Sequence, residues 1–130
     1  IHSGIYYKPG SLKAQNCIQG YHLLLDFVRE NNIAHEICGK VIVATHEGEL
    51  TALNNIYDRG LANGLQGLKK IGRDELKEYE PHVNGVEAIF VPQTGIIDYK
   101  AVSEKYAEHI KSIGGEIMLG TKVKNIVEHQ

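Results

Sequence analysis

Apolar residues recur every three or four positions in three long stretches of the chain, which is the spacing of a helix with one buried face. The predicted helices cover residues 11–31, 47–63 and 99–113. Ser11 follows a Pro-Gly turn and is the expected N-cap of the first helix. Gly20 inside this helix costs about 1 kcal/mol relative to alanine, so we expect another segment to pack closely against it. The apolar stripe of the first helix comprises Ala14, Cys17, Ile18, Tyr21, Leu24, Leu25 and Val28.

Shorter apolar runs rich in β-branched residues predict strands between and after these helices. We expect strands over residues 36–45, 68–71, 86–91, 116–119 and 121–129, and a short helix over residues 73–80. Asp98 is the expected cap of the third long helix, and Gly114 and Gly115 end it. The pattern predicts an α/β chain in which helices and strands are mixed in α+β fashion.

The composition is that of an ordinary globular chain. Of the 130 residues, 42% are hydrophobic and 23% are charged, and the net charge is −2. There is no basic cluster of the kind that binds nucleic acid, and no apolar run approaches the roughly 20 residues that cross a bilayer. Cys17 and Cys38 form no CxxC motif and the histidines lack metal-ligand spacing, so we expect neither a disulfide framework nor a metal site.

Residues that carry chemistry are concentrated in the first fourteen positions, IHSGIYYKPGSLKA. Gly4 would let the backbone approach a ligand closely, and the imidazole of His2 could act as a general base. Ser3 adds a hydroxyl between them. Tyr6 can donate a hydrogen bond to a carboxylate and Lys8 can pair with one. The alternative is an ordinary loop histidine beside surface residues, since most lysines are exposed.

These fourteen residues resemble the segment of L-2-hydroxyglutarate oxidases and dehydrogenases that follows their flavin-binding opening. Those enzymes belong to the FAD-dependent D-amino-acid-oxidase-like superfamily. Four further blocks fall in the order and spacing of that family, and the similarity covers nearly the whole chain. The blocks are CGKVIVAT (38–45), YDRGLANG (57–64), EPHVNGVEAI (80–89) and TGIIDYKAV (94–102).

The resemblance implies a piece of an FAD/NAD(P)-binding-type flavoprotein with an antiparallel-sheet substrate domain. Residues 1–32 and 93–130 would belong to the FAD-binding domain, and residues 33–92 to the substrate domain. The sequence contains no GxGxxG motif, which such enzymes use to bind the dinucleotide. We therefore expect an internal fragment whose nucleotide-binding motif lies upstream, and we expect these residues alone to bind FAD weakly or not at all.

The resemblance also implies oxidation of L-2-hydroxyglutarate, or a similar 2-hydroxy acid, to the 2-oxo acid. Electrons would pass from FAD to oxygen or to a quinone-linked acceptor. His2, Ser3 and Gly4 would contact the cofactor, with His2 as the catalytic base. Tyr6 and Lys8 would bind the substrate. Further cations that could pair with a carboxylate are Lys40, Arg59 and Arg73.

Two other functions remain open at this level. One is another oxidase of the same superfamily, acting on glycerol 3-phosphate or an amino acid. The other is a catalytically silent module that binds a partner or self-associates through open strand edges. The expected location is the cytoplasm, either free or peripheral to the inner face of the membrane.

Overall fold

The structure, a computed structural model of the chain, describes residues 1–128. Its internal contacts divide the chain into a first unit, Ile1–Asp98, and a second unit that begins at Tyr99. The helices are α1 (Leu12–Glu30), α2 (Leu50–Ala62), α3 (Arg73–Tyr79) and α4 (Tyr99–Ser112). The strands are β1 (His35–Glu36), β2 (Lys40–Ala44), β3 (Lys69–Gly72), β4 (Glu87–Val91) and β5 (Ile96–Ile97). A single 3₁₀ turn, Glu47–Glu49, leads directly into α2.

The centre of the first unit is a three-stranded antiparallel sheet in the order β2-β4-β3. β4 lies in the middle and pairs with both neighbours, so that Lys40 of β2 is opposite Val91. β1 and β5 form a separate antiparallel pair, with His35 opposite Ile97. Helices mixed with antiparallel strands confirm the predicted fold class.

Side chains alternate between the two faces of this sheet, as the pleat of a strand requires. One face carries a buried cluster to which α2 contributes Leu53. The opposite face carries a second cluster to which α3 contributes Leu76. The two helices therefore cover opposite faces of the sheet. The first cluster comprises Ile5, Ala44, Leu53, Leu68, Ile89 and Val91.

The N-terminal segment is part of this core. Ile5 is only 1% exposed and packs in the cluster under α2. Further back, Ile1 N donates to Gly95 O at 2.7 Å, and Gly95 N donates to Ile1 O at 3.2 Å. The first residues are thus fixed both to the core and to the connection between β4 and β5.

The helices agree with the sequence pattern to within a few residues. Ser11 Oγ accepts a hydrogen bond from Ala14 N at 3.3 Å, which confirms the predicted N-cap of α1. Every residue of the predicted apolar stripe of α1 is buried or half-buried. β3, β4 and α3 also lie within a residue or two of their predicted positions.

Two predictions about the first unit were wrong. Residues 36–45 do not form one strand, because Gly39 has a φ of +77°, which interrupts the extended backbone between β1 and β2. Gly20 is exposed, and a Cβ added there would have no heavy atom within 4 Å, so no segment within residues 1–128 packs against it. Glycine at this position is therefore not explained by close packing.

In the second unit, α4 ends as predicted. Gly114 N donates to Lys111 O at 3.0 Å and Gly115 N to Ile110 O at 2.8 Å. The predicted strands over 116–119 and 121–129 were wrong over the described residues, since residues 116–128 form no strand. A strand needs a partner for its backbone groups, and this stretch pairs with none within residues 1–128. His129 lies outside the described residues, and a capping role for Asp98 stays a prediction.

None of the helices within residues 1–128 is long and apolar enough to cross a membrane.

Gly60 of α2 allows the close approach of Ile5. A Cβ at Gly60 would lie 2.6 Å from Leu68 Cδ1 and 3.0 Å from Ile5 Cγ1. We expect Gly60→Ala to lower the free energy of unfolding by about 1–3 kcal/mol, the usual cost of overpacking, in spite of the better helix propensity of alanine. Urea denaturation measures this change.

Gly20→Ala is the matched control, because Gly20 also lies within a helix but has open space around it. It should raise the free energy of unfolding by up to about 1 kcal/mol. If both variants were stabilised to the same extent, the packing of Ile5 under α2 would be contradicted.

Candidate functional site

Residues 4–7 form a tight turn, here called the N-terminal turn, in which Tyr7 N donates to Gly4 O at 3.1 Å. Gly4 has a φ of +82°, a left-handed conformation that favours glycine. A Cβ at Gly4 would also touch Cys17 of α1, at 3.4 Å from both its Cβ and its Sγ. Backbone conformation and packing on α1 therefore account for this glycine, and a cofactor contact by Gly4 stays a prediction.

Side chains at the end of α2 hold the N-terminal turn in place. Asn63, the C-cap of α2, donates from Nδ2 to Gly4 O at 3.3 Å and to Tyr7 O at 3.0 Å. Arg59 donates from Nη1 to Tyr6 O at 3.3 Å. The carbonyl groups of the turn are thus bonded to α2, which fixes the turn relative to the sheet.

A cavity of about 270 Å³ lies beside this turn, in the first unit. Its walls come from the N-terminal segment, α1, the end of α2 and the residues just after β4. The volume is slightly below the range of about 300–1,000 Å³ for complete small-molecule sites, so the cavity suits part of a larger ligand. It is lined by Ser3, Ile18, Tyr21, His22, Asn63, Gly64, Leu65, Gln66 and Gln93.

Two buried polar atoms of this cavity, Ser3 Oγ and Gln93 Oε1, have no hydrogen-bond partner within the described part of the chain. Ser3 as a whole is only 4% exposed. Leaving a buried donor or acceptor unpaired costs about 1–3 kcal/mol, and most such atoms in proteins are paired. A ligand that hydrogen-bonds to both atoms would remove this cost.

The structure separates the residues predicted to form the site. Ser3 lines the cavity, whereas His2 is exposed and does not line it. Lys8 is also exposed, and its backbone carbonyl accepts from Ser11 N at 3.1 Å and from Ser11 Oγ at 2.6 Å. The catalytic role of His2 and the substrate role of Lys8 stay predictions.

Tyr6 contacts Lys40, a cation that is distant from it in the sequence. The Nζ atom of Lys40, at the start of β2, lies 4.5 Å from the centroid of the Tyr6 ring and 3.4 Å from its hydroxyl oxygen. Tyr6 is 48% exposed and Lys40 is half-buried. Arg73, another candidate cation, instead donates to Gly85 O at 3.2 Å and so ties α3 to the loop before β4.

The cysteines and the potential metal ligands within the described residues 1–128 form no cluster that could hold a metal ion. Within residues 1–128 no group of three His, Cys, Asp or Glu side chains is placed to hold a metal ion. Cys17 and Cys38 are both free thiols. Burial raises the pKa of the Cys17 thiol, while Cys38 is exposed.

Two residues of the site were not identified from the sequence. The pattern identifies Asn63 only as a helix stop, although its amide also holds the N-terminal turn. Gln93 follows the last strand of the sheet and precedes the block TGIIDYKAV. A polar side chain directly after a buried strand is a signal that could have indicated it, since strand ends often border binding sites.

Comparison with known proteins places the chain in a known class of redox protein. A family model described as FAD dependent oxidoreductase (DAO) matches residues 1–130, and the chain belongs to this family. The resemblance inferred from the sequence blocks is therefore confirmed at the level of the family.

Within this family, two of the most similar curated relatives are L-2-hydroxyglutarate dehydrogenases. The chain is 58% identical over 123 residues to L-2-hydroxyglutarate dehydrogenase of Indibacter alkaliphilus, covering 95% of this chain and 31% of the relative. It is 45% identical over 126 residues to the mitochondrial L-2-hydroxyglutarate dehydrogenase of Pongo abelii, covering 97% of this chain and 30% of the relative. The structure of L-alpha-glycerophosphate oxidase from Mycoplasma pneumoniae with FAD bound matches with a TM-score of 0.80 at 26% identity, over 90% of this chain and 32% of that one. The chain thus spans about a third of the length of these relatives.

The residues around the cavity fit a cofactor such as FAD, which has both flat rings and polar edges. Ile18, Tyr21 and Leu65 offer apolar surface for a ring. The unpaired Ser3 hydroxyl can donate or accept, and Gln93 Oε1 can accept. A dinucleotide-binding GxGxxG is not among the 130 residues, so a phosphate loop of that kind is not supplied by this chain.

The contact between Gly4 and Cys17 leads to a test by alkylation. Iodoacetamide near neutral pH should modify Cys38 several-fold faster than Cys17, because the thiolate is the reactive form and burial raises the pKa of Cys17. Mass spectrometry of timed samples measures the two rates. In the urea-denatured protein the rates should converge, and equal rates in the native protein would contradict the packing of α1 on the N-terminal turn.

Proposed function

We propose that the complete protein containing this chain oxidises L-2-hydroxyglutarate to 2-oxoglutarate with FAD as cofactor. Support comes from the identity of 58% and 45% with two L-2-hydroxyglutarate dehydrogenases over almost the whole chain. The chain spans about a third of those enzymes, so the activity is a property of the complete protein.

The observation that carries the proposal is the pair of unpaired buried atoms, Ser3 Oγ and Gln93 Oε1, in one cavity. Ser3 belongs to the segment that resembles the family's flavin-contact segment, and Gln93 is brought beside it by the fold. We propose that both side chains hydrogen-bond to FAD. Bound there, FAD would supply the acceptor for the hydride that leaves C2 of the substrate.

The exposed side chains at the N-terminus have proposed roles toward the substrate. His2 would accept the proton of the substrate hydroxyl, since imidazole can act as a general base near neutral pH. Its exposure leaves the ring accessible to a ligand. Tyr6 and Lys8 would bind substrate carboxylates, and Gly4 would let the backbone lie close to the cofactor.

Several finer points remain part of the proposal. The electron acceptor would be oxygen or a quinone-linked carrier. The complete protein would be located in the cytoplasm, either free or at the inner face of the membrane. The predicted division into residues 1–32, 33–92 and 93–130, and self-association through strand edges, also stay predictions. So does weak FAD binding by the 130 residues alone.

Oxidation of L-alpha-glycerophosphate is the second candidate function. The FAD-bound oxidase with that substrate in its name shares the fold with a TM-score of 0.80. Its identity of 26% is well below that of the hydroxyglutarate enzymes, which favours the diacid.

Anaerobic addition of L-2-hydroxyglutarate to the complete protein tests the function directly. We expect flavin absorption bands that bleach on addition of this acid, because the reduced flavin lacks the visible absorption of the oxidised form. Bleaching by L-alpha-glycerophosphate alone would favour the second candidate. If the complete protein showed no flavin absorption even after incubation with FAD, both candidate functions would be contradicted.

Ser3→Ala and Gln93→Leu test the proposed cofactor contacts. Each variant should weaken FAD binding by about tenfold, as expected for the loss of one hydrogen bond. Titration of the apoprotein with FAD, followed by flavin fluorescence, measures the affinity. The apoprotein of Ser3→Ala should be at least as stable as the original, since an unpaired buried hydroxyl has been removed.

Ser103→Ala serves as the control, because this serine is exposed in α4 and its hydroxyl donates to Tyr99 O at 2.9 Å. Its FAD affinity should be unchanged. Unaltered affinity in both cavity variants would mean that the cavity holds something other than the cofactor.

A further inference from the structure

Lys40 is a half-buried cation without a carboxylate partner. Within residues 1–128 no acidic side chain forms an ion pair with it, and its recorded polar contact is with the hydroxyl of Tyr6. An ammonium group has three hydrogen-bond donors and no acceptor. Two of its donors therefore remain available beside the Tyr6 ring.

The contact with Lys40 also determines what the Tyr6 hydroxyl can do. Because Tyr6 Oη accepts from Lys40 Nζ, its own hydrogen is free to be donated elsewhere. Within residues 1–128 the structure shows no hydrogen bond donated by this hydroxyl. The pair thus presents an O–H donor and a charged N–H donor side by side, which is the arrangement that binds a carboxylate.

The fold holds this pair in a fixed place near the proposed cofactor cavity. Lys40 is opposite Val91 in the sheet, and Gln93 of the cavity follows two residues later. Tyr6 belongs to the N-terminal turn, which Asn63 and Arg59 hold through its carbonyl groups. The cation and the cavity therefore lie at the same end of the sheet.

We propose that Lys40 and Tyr6 bind the carboxylate of the substrate that is remote from its reacting carbon, and that Lys40 thereby sets the preference for a 2-hydroxy diacid. This inference rests on the proposed function and adds a specificity residue to it. Tyr6 donates its phenol hydrogen to the carboxylate while Lys40 contributes the opposite charge. The reacting end of the substrate is left to other residues.

The test compares two substrates that differ only at the remote group, L-2-hydroxyglutarate and L-2-hydroxyvalerate, whose chain ends in a methyl group. In the complete protein, Lys40→Met keeps an unbranched side chain but removes the charge. We expect kcat/KM for L-2-hydroxyglutarate to fall by about 10- to 100-fold, mainly through KM, as for the loss of a hydrogen bond between charged groups. Kinetics with L-2-hydroxyvalerate should change by less than about twofold.

Three further variants test whether the effect depends on the charge of Lys40 and on the Tyr6 hydroxyl. Lys40→Arg should recover part of the affinity for the diacid, since the charge is restored. Tyr6→Phe should raise KM for the diacid by about tenfold with little effect on the monoacid. Lys13→Met, which removes an exposed lysine of α1, should leave both substrates unaffected.

An equal loss of activity with both substrates in Lys40→Met would overturn the inference, because the lysine would then act on folding or on the reacting end. A loss confined to L-alpha-glycerophosphate would overturn it in favour of a phosphate site. If the original protein does not oxidise L-2-hydroxyglutarate, the proposed function fails independently. Binding of glutarate, followed by perturbation of the flavin spectrum, would still test the subsite, since Lys40→Met should abolish it.

Discussion

The burial of Ile5 between α2 and the sheet is the contact on which the whole N-terminal arrangement depends. Ile5 fits there because Gly60 has no side chain and leaves room for it. Ser3 and Tyr6 lie on either side of Ile5 in the sequence, so fixing Ile5 also fixes where these two side chains begin. An apolar contact thus positions polar groups that could not hold themselves in place, since exposed hydrogen bonds contribute little net stability.

Some polar groups near Ile5 are hydrogen-bonded, and others are buried without a partner within residues 1–128. The backbone carbonyls of the N-terminal turn are bonded by Asn63 and Arg59. In contrast, Ser3 Oγ and Gln93 Oε1 are buried without partners. Because neighbouring groups are paired, these two unpaired atoms support the proposal that a cofactor binds there. A cofactor that hydrogen-bonds to them would stabilise the folded protein.

The sequence predicts the local elements well and the long-range pairs poorly, for physical reasons. Periodicity identified α1, α2 and α4, because a buried face leaves a regular pattern. It missed the break at Gly39, since β-branched residues on both sides favour an extended chain and the positive φ of one glycine has no signal in the pattern. Residues 116–128 have a strand-like composition but no partner within the described chain, and strand pairing is a property of the fold and not of the segment. The family resemblance predicted roles for Ser3 and Tyr6, and Lys40 was one of three further candidate cations. The contact of Lys40 with Tyr6 and the position of Gln93 in the cavity with Ser3 follow only from the fold.

The register of β2 on β4 explains why Lys40 and Gln93 lie at the same end of the sheet. Lys40 is opposite Val91, so the start of β2 and the residues after β4 lie at one end of the sheet, where the N-terminal turn also lies. A shift of the register by one residue would turn Lys40 to the face covered by α3 and away from Tyr6, because successive side chains point to opposite faces. The register of β2 on β4 therefore also determines that Lys40 is the cation that contacts Tyr6. In this chain the packing of the core and the placing of a charged group for recognition are consequences of the same strand alignment.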